Sequence, residues 1–184
     1  MHRGHQFIKI EYAATRLIGE IVIGIASTPG LTELETHWSA LQRERCAVVV
    51  LDIVNSVGLI HQHELDVIDR WRMFVHEVRT RLLPPMGGRF VKSTGDGMLL
   101  TFRSVDAAGE AMIAVHRLIA RHNVGRTQDA WIELRGGGHV AEVVVIDGFD
   151  VFGDGVNVAA RITSLARPGG NVVTADFRAG IVDG

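Results

Sequence analysis

Cys46 to Asp52 is an unbroken apolar run that ends on a carboxylate. A run this short and rich in valine reads as a strand buried in a sheet. The segments downstream of it narrow the fold further. A long helix is predicted from about Ser56 to Leu83, and Pro84-Pro85 with Gly87-Gly88 behind them enforce its end. Strands over Arg89–Ser93 and Met98–Phe102 flank Gly95-Asp96-Gly97 as a hairpin. A second helix is predicted over Val105–His122, then a long β-rich run from Trp131 to Ile146 in which Gly136-Gly137-Gly138 signal a bulge or a close backbone approach. Asp147–Gly155 reads as loop, Val156–Ala166 as helix, and Asn171–Thr174 as a last strand after the Pro168-Gly169-Gly170 turn. The order βαββαβ is that of a ferredoxin-like unit, an α+β domain whose mostly antiparallel sheet is covered by helices.

The N-terminal stretch needs a membrane test, because Phe7 to Ala26 is rich in isoleucine. Lys9, Glu11, Arg16 and Glu20 interrupt it, so it neither spans a bilayer nor reads as a signal peptide. Ala14, Leu17, Ile18, Ile21 and Ile25 have a helical spacing and suggest a packed or dimer-contacting segment. Ser27-Thr28-Pro29-Gly30 breaks the chain, and Thr32–Glu44 is a charged, helix-like stretch before the first strand. Residues 1–44 are therefore read as an extension and 45–184 as the domain. The 184 residues are 47 % hydrophobic and 22 % charged, as in a soluble globular chain, and the net charge of −2 gives no basic footprint for nucleic acid. The single cysteine, Cys46, has no internal disulfide partner and reads as a small core residue. A cytoplasmic location is the expectation.

Asn157 and Arg161 stand four residues apart at the start of a helix-forming stretch and project from one face, an arrangement suited to phosphate. Asp52 at a strand end and Asp96 at a hairpin tip are hard oxygen ligands of the kind that Mg²⁺ or Mn²⁺ takes. Each has a plain explanation when taken singly: a helix cap for Asp52, a turn residue for Asp96, a helix-start polar group for Asn157 and a surface ion pair for Arg161. His61 and His63 diverge on a helix and read as a solvated face; His139 reads as a satisfied core or interface residue, and Trp38, Trp71 and Trp131 as core or interface aromatics.

Taken in order, these segments resemble the class III nucleotidyl cyclase catalytic domain, over about residues 45 to 175, and the βαββαβ order agrees with the palm-like fold of that family. The resemblance implies an adenylate cyclase that converts ATP to cyclic AMP and pyrophosphate with two Mg²⁺ or Mn²⁺ ions per site. It makes Asp52, Asp96 and the backbone carbonyl of Ile53 the metal ligands, Arg161 the partner of the α-phosphate and Asn157 the group that holds the ribose. It makes Lys92 and Asp150 the base-reading pair. Lysine only donates and an ionised aspartate only accepts, which fits adenine and opposes guanine. It also implies a homodimer, with Asp52 and Asp96 from one chain facing Lys92, Asp150, Asn157 and Arg161 from the other. The alternative is a catalytically weak cyclase-like domain that binds nucleotide and regulates.

The sequence departs from the family pattern in three places. Asn55-Ser56-Val57 replaces a glycine-led, threonine-containing phosphate loop; asparagine tolerates the left-handed turn, while Val57 lacks a hydroxyl. Ala141 stands where glycine is common. Family domains also continue into β-structure bearing a phosphate-contacting lysine, whereas the only lysines here are Lys9 and Lys92, so the expectation is either a C-terminally truncated domain or one that lacks that contact.

Overall fold

The computed structural model describes residues 42–146 and 150–181. Strand β1 (Gln42–Ile53) leads into helix α1 (Ser56–Glu77), the hairpin β2 (Gly88–Ser93) and β3 (Gly97–Phe102), helix α2 (Val105–His122) and the long strand β4 (Leu134–Ile146). Strand β5 (Asp150–Phe152), helix α3 (Asp154–Thr163), strand β6 (Asn171–Val173) and the short helix α4 (Ala175–Ala179) complete the order. The strand order is β2-β3-β1-β4-β5, and β6 joins β4. Every pairing is antiparallel except that of β6 with β4. This is the α+β, βαββαβ arrangement expected from the sequence, with further elements at its end.

β1 is apolar from Cys46 to Leu51 because both faces of that stretch are covered. Ala47, Val49, Leu51 and Ile53 face α1 and α2 and pack with Phe74, Phe102, Met112 and Phe177. Cys46 and Val48 face the other way and pack with Leu99, Val143, Val151 and Ala159. Burial, reinforced by the neighbouring charge of Glu44, pushes the Cys46 thiol up to about 11, so it stays protonated near neutral pH. Arg70 is the buried cation of the helical layer. It donates to Asp66, to the Asn123 side chain and to the Ala130 carbonyl, which fastens α1 to the C-terminal end of α2 and the turn beyond it.

Several boundaries differ from those the sequence predicts. β1 starts at Gln42, so Gln42–Glu44 are strand rather than the end of a helix-like stretch; pairing with Val143–Val145 of β4 overrides their charge. Asp147–Gly155 is not all loop: Asp150–Phe152 pairs with Val144–Ile146, a contact set by the neighbouring strand rather than by local pattern. α1 ends at Glu77 and widens over Val78–Leu82 into a turn closed by a five-residue bond from Leu83 N–H to the Val78 carbonyl, which leaves Leu83 buried in the core just before the exposed prolines. β4 begins at Leu134 rather than Trp131, after a single 3₁₀ turn at Gln128–Ala130. α3 begins at Asp154 and ends at Thr163, and α4 has no counterpart among the predicted elements. The expectations for Phe7–Ala26, Trp38 and the Ser27–Gly30 break lie outside the described residues. Among those described, no helix is long and apolar enough to cross a membrane.

Candidate active site

Asp52 is the penultimate residue of β1, with Gly97 of β3 opposite it on one side and Arg135 of β4 on the other. That register puts it beside the hairpin tip that carries Asp96. The Ile53 N–H donates to the Asp96 carbonyl at 3.0 Å, so the two aspartates belong to adjacent strand ends joined by a backbone bond. Gly97 is required here, since a Cβ would come within 2.7 Å of the Leu51 carbonyl. The tip is fixed from behind, where Trp71 of α1 donates its indole N–H to the Gly95 carbonyl at 2.9 Å.

Both carboxylates already have partners in the chain. Arg135 donates to Asp52 from Nε at 3.0 Å and from Nη2 at 2.8 Å, and the Ser56 hydroxyl donates to Asp96. Ser56 is placed by Asn55, which adopts the left-handed conformation (φ 51°, ψ 40°) and is the single non-glycine residue with positive φ among those described. The turn thus survives the loss of glycine, as asparagine's tolerance suggested. Val57 points to solvent at 82 % exposure.

Lys92 on β2 and Asp150 on β5 come from opposite ends of the strand order. A flat sheet would part these strands by four steps of about 4.8 Å, roughly 19 Å. Yet the Lys92 ammonium lies 2.9 Å and 3.0 Å from the two Asp150 oxygens, so the sheet curls until its outer strands meet. The Lys92 hydrogen bond is the main reason the Asp150 carboxyl is held below the ordinary carboxylate range. The Phe152 ring meets the same ammonium, 4.9 Å from Nζ to the ring centre.

Asn157 and Arg161 are exposed on α3, and their side chains make no hydrogen bond or ion pair with the two carboxylate groups described above. Their direction is set by the opposite face of the helix, where Gly155, Ala159 and Thr163 are buried on β4. Gly137 of β4 permits that approach, together with Gly155 of α3 itself. A Cβ at Gly137 would come within 2.4 Å of Thr163 Oγ1 and 2.5 Å of the Ala159 carbonyl, and one at Gly155 within 2.1 Å of the Ala141 Cβ. The glycine cluster does mark a close backbone approach.

One chain therefore unites the candidates in two pairs and leaves the third pair facing outward. An apolar cavity lined by His116, Ile119, Asn123, Trp131 and Leu134 contains none of them. Among the described residues no three His, Cys, Asp or Glu side chains converge as metal ligands. His63 turns away from His61 to meet Asp129 at 3.0 Å, and His139 shares a 3.0 Å hydrogen bond with Thr174. Trp71 is buried, and Trp131 is partly exposed with its indole N–H on the Arg126 carbonyl.

No protein-family model matches the chain. A curated protein named putative adenylate cyclase 3, from Rhizobium meliloti (strain 1021), is 36 % identical over 139 residues, which are 73 % of this chain and 23 % of that protein. The chain thus spans about a quarter of that relative's length. Among solved structures, an adenylate/guanylate cyclase/hydrolase from Silicibacter pomeroyi is 30 % identical, with 75 % of this chain and 79 % of that one covered at a TM-score of 0.66. The chain belongs to the class III adenylyl/guanylyl cyclase catalytic domain family. The adenylyl cyclase CyaB from P. aeruginosa, at 20 % identity, shares the fold, with 75 % of this chain and 80 % of that one covered at a TM-score of 0.63.

Within this cyclase domain, three contacts at the candidate site were not read from the sequence: Arg135 on Asp52, Ser56 on Asp96, and Phe152 over Lys92. Arg135 and Ser56 depend on strand register and on the turn at Asn55, which the residue pattern alone does not give. Phe152 carried a usable signal, because it lies two residues after Asp150 and on a strand would share its face.

Proposed function

We propose that this domain is an adenylate cyclase that forms cyclic AMP and pyrophosphate from ATP at the interface of a homodimer. Family membership supports cyclase chemistry, and the name of the Rhizobium relative supports the adenylate form. The observation that carries the base choice is the direct pairing of Lys92 with Asp150. It sets a donor beside an acceptor, which matches the N1 acceptor and exocyclic amine donor of adenine and mismatches guanine.

The reaction joins the ribose 3′-oxygen to the α-phosphorus, breaks the bond from that phosphorus to the pyrophosphate oxygen, and releases the 3′-hydroxyl proton. Asn157 holds the ribose so that the 3′-oxygen faces phosphorus, a proximity effect. Arg161, one turn along the same face, supplies a guanidinium to the charge that gathers on the α-phosphate oxygens. The donor chemistry of Asp52, Asp96 and the Ile53 carbonyl fits Mg²⁺ or Mn²⁺, since all are hard oxygens at adjoining strand ends. Those groups would hold two such ions, whose chemistry would be to activate the attacking oxygen and to neutralise the leaving phosphates. Arg135 and Ser56 keep the two carboxylates oriented toward that task. The outward face of Asn157 and Arg161 supports the homodimer, in which that face meets the Asp52 and Asp96 corner of the second copy.

The test is cyclic AMP and cyclic GMP production from ATP and GTP with Mn²⁺ and with Mg²⁺, beside Asp96→Ala at matched concentration. Metal-dependent cyclic AMP that vanishes in the variant is the expected result. Cyclic GMP in excess of cyclic AMP would reverse the base assignment, and equal product from Asp96→Ala would remove the assigned site.

A further inference from the structure

We infer that Phe152 is a positioning residue that holds the Lys92 ammonium in its base-reading place and so helps set the choice of purine. This rests on the role proposed for Lys92 and Asp150. Phe152 stands two residues after Asp150 on β5, and alternate residues of a strand share a face, so carboxylate and ring are presented side by side. The ammonium they share arrives from β2, at the other end of the strand order.

A lysine side chain is a flexible four-carbon stem with three rotatable donors, and 40 % of this one is exposed. A carboxylate alone fixes such a group toward one point and leaves it to swing about the contact. The Phe152 ring, 4.9 Å from Nζ, adds a second direction through the attraction of a cation for the negative face of an aromatic ring. The ring itself is 47 % exposed at the end of a three-residue strand, so its Lys92 contact lies at the surface where a nucleotide base can reach it. Adenine N1 and the exocyclic amine are neighbouring atoms, and reading both requires that donor and acceptor keep a fixed separation. The ring maintains that separation by stopping the ammonium from leaving the Asp150 side of the pocket.

Lysine occurs only at positions 9 and 92, which makes the contact directly observable. Protein labelled with ¹³C at lysine Cε gives two ε-methylene signals, assigned with a Lys9→Arg variant. Phe152→Leu keeps apolar bulk and removes the ring, whereas Phe152→Tyr keeps the ring. The Lys92 ε-methylene protons are expected upfield in the parent and in Phe152→Tyr, and downfield of that position, without the ring shift, in Phe152→Leu. The preference for ATP over GTP in kcat/KM is expected to fall about two- to five-fold in Phe152→Leu, through KM for ATP rather than kcat, and to hold in Phe152→Tyr. An unmoved Lys92 signal in Phe152→Leu overturns the inference, whatever the nucleotides do. A signal that moves while the preference stays constant overturns the positioning role, provided Lys92→Ala does change the preference. If Lys92→Ala leaves the preference unchanged, the base-reading proposal has failed and this one falls with it.

Discussion

The corner of Asp52 and Asp96 and the outer face of α3 are built on opposite principles. At the corner both carboxylates and the hairpin tip are engaged: Arg135 on Asp52, Ser56 on Asp96, and a backbone bond and an indole N–H behind the tip. On α3, the packing is all on the buried side, against Gly137 and Ala141 of β4, and Asn157 and Arg161 extend into solvent. The first region is pre-organised within one chain, and the second is held rigidly but turned outward. A site that must be completed by another copy would have this division, with geometry paid for inside the fold and chemistry left at the surface.

That contrast can be broken in order of expected effect. Asp96→Ala, or Asp52→Ala, removes a proposed hard-oxygen ligand and should lower cyclase turnover on the order of 10³-fold or more, measured as initial rate at saturating ATP. Arg161→Ala should lower kcat by about 10²- to 10³-fold. Because its side chain is exposed, the midpoint of urea unfolding should stay where it is, which separates lost chemistry from lost fold.

How much of this was legible beforehand depends on which forces were local. The valine run of β1, the proline stop after α1 and the hairpin at Gly95 all declare themselves over a few residues, and the strand and helix order came from them. The candidate site residues were proposed as a set, since the segments that carry Asp52, Lys92 with Asp96, Asp150, and Asn157 with Arg161 have meaning only in their order together. What stayed hidden was tertiary. β5 exists because β4 offers it an edge, Arg135 reaches Asp52 because of the β1–β4 register, and Lys92 meets Asp150 because the sheet curls. The buried guanidinium of Arg70 was hidden for the same reason, as its partners come from Asp66, Asn123 and Ala130.

A smaller effect sharpens the packing side of the comparison. Gly137→Ala sets a methyl against the Ala159 carbonyl and Thr163 Oγ1, and should destabilise the domain by about 1–3 kcal/mol, read by urea unfolding, while displacing α3 and with it Arg161. The smallest concerns the Lys92–Asp150 pair. The folded Asp150 carboxyl is held below its ordinary value, so its contribution is fully present above the unfolded pKa of about 3.9 and fades as pH falls through the folded value. Unfolding of the parent and of Asp150→Asn should therefore differ most near neutral pH and converge in strong acid.

The central claim is that the two regions complete one another across two chains, and mixing Asp96→Ala with Arg161→Ala tests it most directly. Each variant alone should be nearly inactive. After exchange at equal concentrations, half of the dimers are mixed and each mixed dimer carries one intact site, so about a quarter of the parent activity should return. Mixtures no more active than the separate variants, although exchange is shown by differential labelling, would contradict the account and put both regions to work within a single chain.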